Sequence, residues 1–388
     1  MRAIRTAALA CATLLVAGGL VGCDLASEPA DTRDVVIAAD LELTGAAAAI
    51  GSAYDRALRL KVDQLNDSGV LGERRIRLEV RDNRSDVNLS VKNIGDFTNN
   101  PEVTALITGA CSRCLVAAAR TINDRKVPTI ALAPASAVSS PVADRRYVFK
   151  VAPNAADSAA ALIGELRRQR VKTVGLLLTD DPYGADGSAA MGTELAKAGI
   201  DLVASRRVKT TDTDVSQPVA ALARAKPDAI VVWTFAEQAG LAATAAKAAK
   251  FKGQLFFDAA AAGDLFLAKG VADAADGTRM VFVQSMVIDD VIATTPTKAA
   301  RKQWFRDYTA RHGSYFGYAS FAADAVQLVT DAVLRAGSDR AHIRDILETS
   351  QLDGLSGPIR MTPDNHSGLM PQALTLLVVR SGRWRLAS

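Results

Sequence analysis

Residues 103–133 read VTALITGACSRCLVAAARTINDRKVPTIALA. An apolar run (103–108), a helical stretch (112–123) and a second apolar run (127–133) predict strand, helix, strand. The same rhythm extends backwards. Residues 35–39 (VVIAA) suit a strand buried on both faces. Residues 51–66 place Leu58, Val62 and Leu65 on one helical face, and RIRLEVR (75–81) alternates. Residues 86–97 predict a further helix, closed by Asn99-Asn100-Pro101. Alternation of this kind means βαβ units and a parallel sheet with helices on both faces.

The pattern then restarts. Helices are expected over 154–169, 187–198, around Val215, Val219 and Leu222, and over 237–250. Strands are expected over 173–179, 202–208, 228–234 and 254–257. After a strand-like MVFVQSM (280–286) come helices over 298–311, 319–336 and 342–349, then strand-like runs at 357–361 and 374–379. The expectation is an α/β protein of two doubly wound parallel-sheet domains, completed by returning chain and joined by a multi-strand hinge. The lobes are expected at 34–151 plus 285–357 and at 152–284 plus 358–388.

With 388 residues, two domains are the prior for a single chain. Hydrophobic residues make up 49% and charged residues 23%, which excludes global disorder. Aromatics at 5% and a net charge of +4, with no basic run of five, argue against a nucleic-acid platform.

The first residues are set apart from the fold. A basic start, Met1 to Arg5, precedes an uncharged apolar run to Val21, the pattern of a signal peptide over 1–22. Leu20-Val21-Gly22-Cys23 looks like a bacterial lipobox, with Cys23 as the lipidated residue and 23–33 as a tether. The protein is therefore expected outside the cytoplasm, anchored to a membrane by its N-terminal lipid.

Reactive chemistry is sparse. The three histidines (His312, His342, His366) show no metal-ligand spacing, and no HExxH, GxSxG or Walker A sequence occurs. No metal or cofactor is expected. Cys111-Ser-Arg-Cys114 sits between a strand and a helix, where helix amides lower a thiol pKa. It reads as a local disulfide, as two quiet thiols, or as a thiol oxidoreductase motif.

Taken in order, these segments resemble the extracytoplasmic solute-binding proteins of ABC importers, in the branched-chain amino acid binding family. Leu43-Thr-Gly45, Gly109-Ala-Cys-Ser112, PTIALAPASAVSS (128–140) and Asp181-Pro-Tyr-Gly184 carry the resemblance. It implies a type I periplasmic-binding fold, no bond-making chemistry, a small solute (amino acid, amide or organic acid) and ABC permease subunits as partners. It also implies hinge closure over the solute.

For the site, the resemblance implies that Ser112 donates to a ligand carboxylate and that Ser136 and Ala137 offer backbone groups. Ala137 stands where relatives often carry a threonine. Tyr183 closes over the ligand. Phe235, or Ala236 instead, falls where relatives often place a tyrosine, and Asp258, or Ala259 instead, where they place an acid for the ligand ammonium. Phe316 and Tyr318 line the wall. Relatives pair the counterpart of Cys111 with a cysteine in the loop here spanning 82–86, which has none; Cys114 is then the remaining partner. A ligand sensor of the same fold without a transporter is the alternative function.

Overall fold

Five short apolar runs build the first sheet of this computed structural model, which describes residues 33–263 and 270–387. The expected signal peptide and Cys23 lie outside the described residues. The elements are β1 (Val35–Leu41), α1 (Ala48–Ser68), β2 (Ile76–Asp82), α2 (Val87–Asn99), β3 (Val103–Thr108), α3 (Ser112–Arg125), β4 (Thr129–Ala131) and β5 (Val148–Lys150). Strand order is β2-β1-β3-β4-β5, all parallel. Both faces of β1 and β3 are buried, whereas β2 at the edge keeps exposed arginines. The strand read over 127–133 shrinks to three residues. Its neighbour β3 ends at Thr108, so the ladder has no partner beyond Ala131 except one bond from the Leu132 amide to Thr108.

The second lobe follows with α4 (Ala155–Arg168), β6 (Thr173–Thr179), α5 (Pro182–Ala198), β7 (Asp201–Val208), α6 (Ser216–Arg224), β8 (Ala229–Trp233), α7 (Ala236–Ala248), β9 (Gln254–Phe257), α8 (Ala272–Ala275) and β10 (Arg279–Val283). Chain then returns through α9 (Pro296–His312), α10 (Ala319–Ala336), α11 (Arg340–Glu348), β11 (Gln351–Asp353) and β12 (Pro358–Arg360), and ends in β13 (Leu374–Arg380) and β14 (Arg383–Leu386). The second sheet runs β14-β13-β10-β9-β8-β6-β7, with every pairing parallel except the two that β13 makes, with β10 and with β14. This is the expected α/β architecture of two parallel-dominated sheets flanked by helices.

Helix α5 starts at Pro182 rather than near 187. Asp181 caps it by accepting from the Gly184 amide at 2.9 Å, and proline at the first position needs no amide partner. Tyr183 therefore stands on the first turn of a helix, not on a loop. The strand read through 286 stops at Val283, where a 3-10 segment (Gln284–Asp290) begins. Strands β5, β11 and β14 are too short, or too charged, to show as apolar runs.

Returning helices α9 and α10 pack on α1, with the Tyr308 hydroxyl 3.5 Å from the Ala53 carbonyl. One boundary needs correction. Residue 358 does not begin second-lobe chain: β12 pairs with β11, and the Gly368 amide donates to the Lys150 carbonyl at 2.9 Å. His366 stacks on Phe149 at 4.3 Å. The segment up to Gly368 thus stays against the edge strand β5, because burying that ring covers an otherwise open sheet edge.

Candidate functional site

At the carboxyl end of the first sheet, β1 leads to Glu42 and β3 to the Gly109-Ala110-Cys111 turn. Glu42 is 1% exposed and accepts from the Ala110 amide (2.9 Å), the Cys111 amide (3.1 Å) and Asn83 Nδ2 (3.3 Å). Burial pushes its pKa up, and these donors oppose the shift. Gly109 makes room for the carboxylate, since a Cβ there would lie 2.2 Å from Glu42 Oε2.

Helix α3 begins beside it. Ser112 is buried, and its Oγ accepts from the Ala135 amide at 3.2 Å, leaving its O–H to donate elsewhere. The Ser112 and Arg113 amides donate to no partner among the described residues, as first-turn amides do not within a helix. Cys111 and Cys114 form a disulfide (S–S 1.99 Å) across this turn, and Cys111 Sγ accepts from the Cys114 amide at 3.2 Å.

The second lobe faces this wall with α5 and α7. Tyr183 is 2% exposed, its ring 5.8 Å from Trp233 and 5.7 Å from Phe235. Gly187 allows the approach of that tryptophan, for a Cβ there would sit 2.6 Å from its ring. Asp181 has its pKa raised by burial, with the Gly184 amide and Arg113 opposing.

Between the lobes lies a cavity of about 290 Å³, lined by Glu42, Ile50, Ser85, Cys111, Ser112 and Arg113 on one side and by Asp181, Thr210, Thr211, Phe235, Glu237 and Gln238 on the other. Ile50, Ala110 and Phe235 also wall a deeper slot of only about 20 Å³, where Tyr54, Leu132, Tyr183, Phe282 and Tyr318 converge. A groove of about 410 Å³ near Arg33, Glu102 and Ser338 is larger. It lies at the amino ends of β1 and β3, whereas ligands of open α/β sheets bind at the carboxyl ends.

The fold thus brings Ser112, Tyr183, Phe235 and Tyr318 around one cleft. Ser136, Ala137 and Asp258 are not among the residues lining it. Ser136 donates its amide and hydroxyl to Asp186 of α5, at 2.6 and 2.9 Å. The Ala137 carbonyl accepts from Arg145 Nε at 3.2 Å. Asp258 is fully buried and caps a 3-10 turn through the Ala260 amide (3.3 Å), while its Oδ1 has no partner among the described residues. Burial raises its pKa well above the usual carboxylate range. Ala259 and Ala260, not Asp258, reach the slot, and the Tyr318 hydroxyl donates to both of their carbonyls. Phe316 is buried outside both linings.

Sequence reasoning missed Glu42, Tyr54 and Asp181. A carboxylate directly after a fully buried strand (Leu41-Glu42) was the available signal for the first. For the third it was an aspartate before proline at a helix start. Among the described residues no cluster of three His, Cys, Asp or Glu could hold a metal ion, and no helix is long and apolar enough to cross a membrane.

Known structures share this architecture. An extracellular ligand-binding receptor from Rhodopseudomonas palustris HaA2 matches with TM-score 0.84 and 23% identity, over 91% of this chain and 99% of that one. A leucine binding protein from Thermotoga maritima MSB8 matches with TM-score 0.78 and 22% identity, over 91% and 98%. A solute binding protein of an ABC transporter from R. palustris BisB5, in complex with 3,4-dihydroxybenzoic acid, matches with TM-score 0.79 and 18% identity, over 91% and 95%. At these identities the likeness speaks for the fold. The family model for periplasmic binding proteins matches residues 34–383, nearly the whole described chain, and the protein belongs to that family, with its type I fold.

Proposed function

We propose that this protein is the solute-capturing lipoprotein of an ABC importer. It is anchored through Cys23 on the extracytoplasmic face and delivers a small amino-acid-like or carboxylate solute to a permease. The observation that carries the reading is the interlobe cavity, with the unaccepted amides of Ser112 and Arg113 on one wall and α5 and α7 on the other. Helix N-terminal amides favour an anionic head, and α3, at 14 residues, supplies a full dipole. Tyr183 and Phe235 close the cleft from the second lobe. A solute touching both walls binds the closed arrangement better and shifts the population toward it.

Isothermal titration with a panel of amino acids, their amides and simple carboxylic acids tests the reading, together with small-angle scattering on the same samples. Saturable binding with a fall in the radius of gyration is expected. Silence across the panel, or an unchanged envelope on saturation, refutes it. Globomycin-sensitive processing and loss of membrane association on Cys23→Ala test the anchor.

A further inference from the structure

The two halves of the Cys111–Cys114 cystine are unequally placed. Cys111 is half-buried and lines the interlobe cavity, whereas Cys114 is 3% exposed and does not line it. A small thiol entering the cleft therefore meets Cys111 first. Between the cysteines stand Ser112 and Arg113, which line the same wall and whose amides donate to nothing among the described residues. The rest of α3 is held independently of the bridge, with Leu115, Ala118 and Ile122 packed in the apolar core. The bond can thus be opened without unfolding the helix.

While the bridge is closed both sulfurs are uncharged, and the Ser112 and Arg113 amides are left to an anionic solute head. Opening it puts a thiol at the N-cap, where Cys111 Sγ already accepts the Cys114 amide at 3.2 Å. A helix start favours the thiolate. The other charged groups of the cavity wall are Glu42 after β1, Arg113 on α3, Asp181 before α5 and Glu237 on α7. Arg113 favours ionisation of the sulfur; Glu42, Asp181 and Glu237 oppose it. Glu42, however, bonds the amides of Ala110 and Cys111, which precede the helix, whereas the sulfur bonds one inside its first turn. The helix end acts on the sulfur more directly. A thiolate there competes with a carboxylate for the same amides and repels it.

Resting on the solute-capture reading above, we propose that the Cys111–Cys114 cystine is a thiol-exchange site that gates the solute cavity: oxidised, the cleft takes a carboxylate; reduced by a small dithiol, it binds the same carboxylate more weakly. One thiolate of the dithiol attacks Cys111 Sγ, the S–S bond breaks, and Cys114 leaves as a thiolate that takes up a proton. The second thiolate of the reductant then attacks its own sulfur in the mixed disulfide and releases the Cys111 thiolate. Two electrons pass to the cystine, and the reductant departs as a disulfide.

Titration calorimetry on the oxidised protein, and on protein reduced with dithiothreitol and kept anaerobic, tests this with L-leucine, L-glutamate, L-glutamine and 3,4-dihydroxybenzoate as carboxylate probes. Whichever probes bind the oxidised protein are expected to bind the reduced one about tenfold more weakly, as a new like charge near the head would cause. Reoxidation should restore the affinity. Cys114→Ser, which leaves a lone Cys111 thiol, should bind as weakly as the reduced protein. Cys111→Ser with Cys114→Ser has no thiol to ionise and keeps a capping hydroxyl, so it should bind more tightly than Cys114→Ser alone. Saturating solute should also slow alkylation of Cys111 in the Cys114→Ser protein, read by peptide mass spectrometry. Equal or tighter binding by the reduced protein overturns this inference and leaves solute capture standing, with the head then held by the first-turn amides of α7, which has no side-chain cap. A double-serine protein as weak as the reduced one overturns it as well. No binding by any probe in either state overturns both readings.

Discussion

The carboxylate of Asp186 on α5 accepts both the amide and the hydroxyl of Ser136, residues 50 apart in sequence and on opposite lobes. A second cross-cleft bond runs from Arg113 on α3 to the Asp180 carbonyl just before α5. Together they tie α5 and the residue preceding its cap to the first lobe. The two sides of the cleft are therefore joined by direct protein–protein hydrogen bonds.

Asp186→Ala should favour the open arrangement. Hydrogen bonds to a charged group contribute about 1.5–3 kcal/mol, discounted here because the pair is partly solvated. Solute affinity is expected to fall about three- to tenfold, with a larger radius of gyration in the absence of solute. Equal scattering curves for the two proteins would show that this bond does not hold the lobes.

Ser112→Ala removes the acceptor of the buried Ala135 amide and, on the proposed function, a donor to the solute head. Unfolding in urea should show a loss of about 1–3 kcal/mol, and carboxylate probes should bind about tenfold more weakly. Ser112→Thr, which keeps the hydroxyl, should recover part of both.

Reducing Cys111–Cys114 should matter little to global stability. The bond closes a loop of four residues, for which chain entropy gives about 2 kcal/mol at most. A much larger drop in the urea midpoint on adding a phosphine reductant would mean that the cystine holds more than the first turn of α3.

Lys150 is fully buried at the end of β5, its ammonium donating to the carbonyls of Pro134 and Pro153 and to Asn154 Oδ1. Burial, with no carboxylate in contact, lowers its pKa to about 8 from 10.5. Between those values the unfolded chain holds a proton that the native one has released, so this group makes stability rise with pH across that window. Its penalty is complete below pH 8 and lifts toward 10.5, by up to roughly 3 kcal/mol. Urea unfolding of the native protein and of Lys150→Met at pH 7 to 10.5 should show this extra slope only in the native protein.

The elements of the fold were legible where periodicity is local. The runs 35–39, 103–108 and 173–179 all became buried parallel strands, because apolar stretches of that length have one way to hide both faces. Short elements were not. β5 and β11 have three residues each, too few for a period to show. Ser112, Tyr183 and Phe235, which the resemblance implied, do line the cleft. Ser136, Ala137 and Asp258 were implied by the same resemblance, which says nothing about where a side chain bonds in this chain.

Sequence by itself determined that this chain forms two sets of βα units, and which strand ends carry helix N-termini, since both follow from patterns a few residues long. Only tertiary structure decided which polar atoms remain for a solute. Glu42 takes the amides of Ala110 and Cys111, 68 and 69 residues away, and Gln238 spends its nitrogen 28 residues back on Thr210. A donor already used cannot be offered again, and its partner is chosen by folding across distances no local pattern spans.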